Sequence, residues 1–197
     1  MEIHVIRHTR LIHGLNRCYG QSEVPVADSF KADATEIKQL LQPPYDAVFC
    51  SPLKRCVLLS NELDFSNINI EQALKEMNFG SWENQCWDNI DRNQLEKWCN
   101  DFVNERPPNG ENLQDVYNRV ANFITALKSE HYKKVLLITH AGVIRCIHAF
   151  FNDIELHKIF DIPVDFNEIF IYNTNCNLKI VQSFLNFTIV NADATDT

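Results

Sequence analysis

Two arginines and two histidines, Arg7, His8, Arg55 and His140, are the side chains of this sequence best suited to handle a phosphoryl group. An arginine fork donates to two phosphate oxygens at once, and a neutral imidazole nitrogen is a competent nucleophile toward phosphorus. Arg7 and His8 directly follow "EIHVI", a run built like a buried strand; Arg55 lies in "CSPLKRC", and His140 closes "KVLLITH". The amides of Ala141 and Gly142, at the start of the helix expected after His140, add donors and the positive end of a helix dipole. Such a site still needs a proton donor for the leaving oxygen. Glu76 in "LKEMNFGSWE" is the candidate, because it follows an apolar approach and precedes the Phe79-Gly80 turn; Glu83 in the same stretch competes with it.

Taken singly, each residue has an ordinary alternative. His8 could be a satisfied core histidine, Arg55 a solvated helix residue, and His140-Ala-Gly a plain strand-to-helix turn. A metal site on His4, His8 and His13 is disfavoured, since strand alternation and the loop between them do not bring three nitrogens around one ion, and no metal or other cofactor is expected. The joint placement of the charged residues at three strand ends is what favours chemistry.

The elements that must position them alternate along the chain, which predicts an α/β fold. Strands are expected at "EIHVIR", "DAVFC", "INIEQ" and "KVLLIT", with "EIFIYN" and "LKIVQSFL" as a closing pair. Helices are expected at "FKADATEIKQLL", from Pro52 as first helical residue to about Leu63, from an Asn112 cap with Asp115 three residues on, and at "GVIRCIHAFF". Leu113, Val116, Val120, Ile124 and Leu127 recur at helical spacing. The prediction is a three-layer sandwich with a mostly parallel central sheet, in which ligands bind beyond the carboxyl ends of the strands. Residues 1–190 form one expected domain, 77–110 an excursion over the site that holds all three tryptophans, and 191–197 a frayed tail.

Composition narrows the function classes. At 197 residues, 45% hydrophobic and 22% charged, the chain is an ordinary globular protein, and no segment reaches the roughly 18 apolar residues of a membrane span. The N-terminus lacks the pattern of a signal peptide, so a cytoplasmic location is expected. The seven cysteines include no C-x-x-C pair, and Cys50, Cys56, Cys99 and Cys146 sit in apolar patterns, which points to free thiols. A net charge of −8 disfavours nucleic acid and anionic membranes as partners and leaves a small phosphate ester, met by a few concentrated cations.

In order along the chain, "RHT", "CYGQSEVPVADSF", "CSPLKRC", "LKEMNFGSWE", "PPNGENLQDVYNRV" and "LLITHAGVIR" resemble the motif set of the histidine phosphatase superfamily, in its phosphoglycerate-mutase-like branch. Within it, "CYGQSEVP" and "FGSWE" are most similar to the alpha-ribazole 5'-phosphate phosphatases of cobalamin assembly. The resemblance implies that His8 becomes phosphorylated, that Arg7 and Arg55 bind the phosphate with His140 as its other histidine contact, that Glu76 donates the proton, and that Gly20 and Gln21 lie in a substrate-touching loop. Two positions depart from the pattern: Thr9 stands where Gly is usual, and Gly14 where Asn is frequent, with Asn16 as its possible substitute. No Lys or Arg occurs between Lys75 and Arg92, so the excursion favours a monoester with one phosphate and an aromatic remainder, with Phe79 and Trp82 as substrate-binding rings. A broad-specificity phosphatase and a mutase-like enzyme are the enzymatic alternatives. A phosphate-binding adapter is expected to lack at least one of the five central residues, all of which are present.

Overall fold

The computed structural model describes residues 1–12 and 16–174 in full and the backbone of 176–183 and 187–190; Gly14 and the expected tail at 191–197 lie outside the described residues. Strands β1 (Glu2–Arg7), β2 (Ala47–Cys50), β3 (Ile68–Ile70) and β4 (Lys134–Thr139) pair in parallel. Strands β5 (Glu168–Asn173), β6 (Cys176–Ser183) and β7 (Phe187–Val190) extend the same sheet antiparallel from β1. The strand order is β3-β2-β4-β1-β5-β6-β7. Helices α1 (Phe30–Leu40), α2 (Lys54–Glu62), α3 (Arg92–Asn100), α4 (Leu113–Lys128) and α5 (Ala141–Asn152) complete the fold. Among the described residues no helix is long and apolar enough to cross a membrane.

The apolar run of β4 reads as buried on both faces because it is. Val135 and Leu137 join the core under α4 and α5, while Leu136 and Ile138 join the core under α1 and α2, as the two-residue period of a strand requires. Helix α4 carries the capping box expected of its sequence: the Asn112 side chain accepts from Asp115 N–H, and Asp115 accepts from Asn112 N–H. The five apolar residues read at helical spacing are its buried face.

Three local expectations are corrected. Pro52 is not helical, because the Ser51 N–H still donates to Ile138 C=O of β4 at 2.9 Å, so the chain turns only at Leu53 and α2 begins at Lys54. The sheet has a third antiparallel strand, β7, whose four residues are too few to show alternation. Cys99 is exposed, since α3 packs only its Leu95 and Trp98 face, while Cys18 takes a buried position instead.

Candidate active site

Register brings the site together. Arg7 of β1 pairs with Thr139 of β4, and Cys50 of β2 pairs with Ile138, so the next residues, His8, His140 and Ser51, emerge level at the carboxyl edge. The His8 N–H continues the ladder to Thr139 C=O at 3.0 Å. Its ring is 2% exposed, with Nδ1 2.8 Å from Thr9 C=O. That geometry assigns the proton to Nδ1 and leaves the Nε2 lone pair for a ligand. Burial, then the charges of Arg55 and Arg7, hold the His8 pKa well below the usual histidine value. The side chain is therefore neutral at neutral pH.

His140 is fully buried, its ring centroid 5.2 Å from that of His8. Arg55 Nε donates to its Nδ1 at 3.2 Å, and its Nε2 lies 2.8 Å from Ser51 Oγ. Both nitrogens are thus engaged by the protein, and the ring does not line the pocket. Through the first of these bonds His140 orients Arg55. Arg55 also donates to Ser22 C=O at 3.0 Å and Gly20 C=O at 2.5 Å, leaving one proton on each Nη for a ligand. Arg7 donates to Val164 C=O at 2.9 Å, lies 3.9 Å from the Phe166 ring centroid, and keeps a buried Nε with no partner. Arg7, His8 and Arg55 wall the same pocket, and an oxyanion there would find donors unused by the protein.

Glu76 lies across that pocket. Its Oε1 accepts from Met77 N–H at 3.0 Å and its Oε2 from Gly142 N–H at 3.2 Å. The amide at the start of α5 that was expected for phosphate therefore holds the carboxyl group. The absence of a side chain at Gly142 leaves room for the Glu76 carboxylate, which a Cβ there would displace. The Glu76 carbonyl is fixed by Gln21 Nε2 at 3.0 Å and Arg119 Nη2 at 3.2 Å. Gln21 consequently positions Glu76 and does not line the pocket. Glu83 does not line this pocket; its carboxylate accepts from Gln21 N–H at 2.9 Å, Phe79 N–H at 3.0 Å and the Ser22 hydroxyl. It knots the loop in which Gly20 passes so close to Met77 C=O that no side chain fits.

Of the two rings expected to meet substrate, Phe79 lines the pocket and Trp82 does not. Trp82 is 3% exposed among Cys18, Ile90 and Trp98, its ring centroid 5.9 Å from that of Trp98. The excursion fills a small core of its own, and Phe79 and Trp98 pack against both it and the main core. Asn16 does not replace the missing asparagine: its amide donates to Asp88 at 2.8 Å in an exposed contact. Thr9 is buried, with no partner for its hydroxyl. Sequence reasoning missed Tyr19, Arg145 and Phe160, which line the pocket, and Arg119. Arg145 stands three residues after Gly142 in a motif already singled out, so helical spacing could have flagged it.

The same burial makes stability depend on pH. His8 and His140 both have pKa values held well below that of an unfolded histidine, with burial as the largest cause in each. Below about pH 6.5 the unfolded chain takes up protons that the folded one refuses, so stability falls by roughly 1.4 kcal/mol per pH unit for each histidine. Above that value the contribution is complete. Urea denaturation between pH 7 and pH 5.5 should show this slope, and His140→Asn should flatten it; an unchanged slope would contradict the assignment.

The chain is similar to known proteins in sequence and in fold. A family model described as the histidine phosphatase superfamily (branch 1) matches residues 3–183. The adenosylcobalamin/alpha-ribazole phosphatase of Escherichia coli (strain K12) is 30% identical over 161 residues, covering 76% of this chain and 78% of that protein. Phosphoserine phosphatase 1 of Hydrogenobacter thermophilus is 25% identical over 163 residues, covering 77% and 75%. Among solved structures, the alpha-ribazole phosphatase from Shigella flexneri superposes with a TM-score of 0.82 at 26% identity, over 93% of this chain and 95% of that one.

Proposed function

The chain belongs to the histidine phosphatase superfamily, and from that premise we propose that it hydrolyses small phosphomonoesters in the cytoplasm through a phosphohistidine on His8. The observation that carries this reading is a neutral His8 with Nε2 free, facing the unused donors of Arg7 and Arg55. Nε2 attacks phosphorus, the bond to the ester oxygen breaks, and Glu76 gives that oxygen a proton. Water then attacks the phosphohistidine, Glu76 takes back a proton, and phosphate leaves. The arginines meet the charge on the transferring group throughout.

Alpha-ribazole 5'-phosphate is the substrate that the relatives favour, and the pocket walls of Tyr19, Phe79 and Phe160 suit an aromatic leaving group. A second reading, an ester whose leaving group carries another anion, is favoured by Arg145 on the same pocket. Assay of the purified protein against alpha-ribazole 5'-phosphate, 3-phosphoglycerate and an aryl phosphate tests both. We expect phosphate release from all three, with the ranking of kcat/KM choosing the leaving group. No release from any would sink the hydrolase reading.

A further inference from the structure

Glu76 sits on a stretch of chain that no regular structure holds. Between the short 3-10 turns at Gln72–Leu74 and Gly80–Trp82, residues 75–79 belong to no helix or strand. A general acid has to stay within hydrogen-bond reach of the oxygen it protonates. Of the two amides that hold its carboxyl group, that of Met77 moves with the stretch itself, and that of Gly142 is the contact to a regular element. The backbone of the stretch therefore needs anchors from a more rigid part of the molecule.

Those anchors come from α4 and its cap. Arg119 meets Glu111 as a fork, Nε to Oε1 at 2.9 Å and Nη2 to Oε2 at 3.1 Å. The same guanidinium donates to Ala73 C=O at 2.6 Å and Glu76 C=O at 3.2 Å. Glu111 Oε2 accepts from Asn78 N–H at 2.9 Å, and Glu111 N–H donates to Asn78 C=O at 2.8 Å. The main chain is thus gripped at residues 73, 76 and 78, on both sides of the acid. Surface ion pairs are worth little, but this one is 21% and 23% exposed, against 90% and 59% for Arg92 and Glu96. Arg119 stands on a 16-residue helix whose apolar face is buried in the main core, and Glu111 directly precedes its Asn112 cap. Neither residue lines the pocket, so an effect of either on the reaction has to pass through Glu76.

We infer that Arg119 and Glu111 are positioning residues for proton donation, a pair that fixes the backbone of Glu76 to α4 and so keeps its carboxyl group within reach of the ester oxygen. This rests on the hydrolase reading above. A misplacement of about 1 Å can cost on the order of 10²-fold in rate, and here the cost falls on esters whose leaving oxygen needs a proton. A purely structural pair would lower the folded fraction and affect all esters alike.

The test compares glycerol 3-phosphate, an alkyl ester, with p-nitrophenyl phosphate. It is read as kcat/KM, which covers the steps up to loss of the alcohol and leaves out the later attack of water. Arg119→Met should lose roughly 10- to 100-fold on the alkyl ester and less than about 3-fold on the aryl ester. Arg119→Lys, which keeps the charge without the fork, should recover part of the alkyl rate. Glu111→Gln should show the same selective loss in smaller measure, which keeps the test open if Arg119→Met does not fold. In a Glu76→Gln background, Arg119→Met should cost nothing further on the alkyl ester, because the acid it positions is gone. Equal losses on the two esters, additive losses in the double variant, or unfolding of all three single variants would overturn the inference. If wild type releases phosphate from neither ester, the hydrolase reading fails and this inference with it; if wild type is active and the losses are equal, the inference alone fails.

Discussion

Replacing His8 by Ala is expected to lower kcat/KM by on the order of 10⁴- to 10⁶-fold, the range seen when an enzyme loses its nucleophile. The two histidines differ in what each ring nitrogen already does. His140 has none to spare, because Arg55 occupies Nδ1 and Ser51 occupies Nε2. His8 spends only Nδ1, on Thr9 C=O, and its Nε2 faces the pocket. Rapid quench under non-acidic conditions followed by mass spectrometry should place phosphate on the peptide containing His8 in the wild type and nowhere in His8→Ala. Phosphate on the His140 peptide would mean that the hydrogen bonds around that ring break during turnover and that the roles are reversed.

Glu76→Gln should distinguish leaving groups. General acid catalysis is worth roughly 10²- to 10⁴-fold, so an alkyl phosphate, whose alkoxide leaves badly without a proton, should suffer that loss, and a p-nitrophenyl ester should suffer little. The variant is not electronically neutral in its setting. Two N–H groups, of Met77 and Gly142, point at the two carboxyl oxygens, and glutamine must turn its NH₂ toward one of them. That conflict costs about 1 to 3 kcal/mol and lowers stability, but it does not depend on the ester supplied. The ratio of the two losses is therefore the diagnostic, measured as kcat/KM on both esters. Equal losses would reduce Glu76 to a structural group. Glu83→Gln provides the contrast: its carboxylate accepts from two backbone amides and the Ser22 hydroxyl, so the variant should loosen the loop and lower both rates alike.

Much of this protein is legible in its residues because the governing interactions are local. The alternation in "EIHVIR" and "KVLLIT", the cap pair Asn112 and Asp115 and the apolar stripe of α4 each depend on neighbours within a few positions. Their physical content, a two-residue strand period, a 3.6-residue helix period and capped amides, is written in the spacing. Strand-end chemistry was legible for a related reason. Once Arg7-His8, Arg55 and His140 are placed at carboxyl ends of parallel strands, the fold has one edge where they can meet.

Tertiary structure decided what those groups do to one another. Which face of α5 fronts the pocket depends on how that helix is rotated against β1 and α4, and this rotation brings in Arg145. Whether an aromatic ring contacts substrate or fills a core depends on how the excursion closes; Trp82 was consumed by that small core and Phe160 was left at the mouth. The different surroundings of Glu76 and Glu83 come from hydrogen bonds from Gly142 and from Gln21, 66 and 62 residues away along the chain. The bond by which His140 holds Arg55 has the same origin, spanning 85 residues. Sequence spacing fixes which way a side chain leaves its own strand or helix. Which partners it finds there is set by packing between elements distant in the chain, and that is what separates the surroundings of Glu76 from those of Glu83 and of His8 from those of His140.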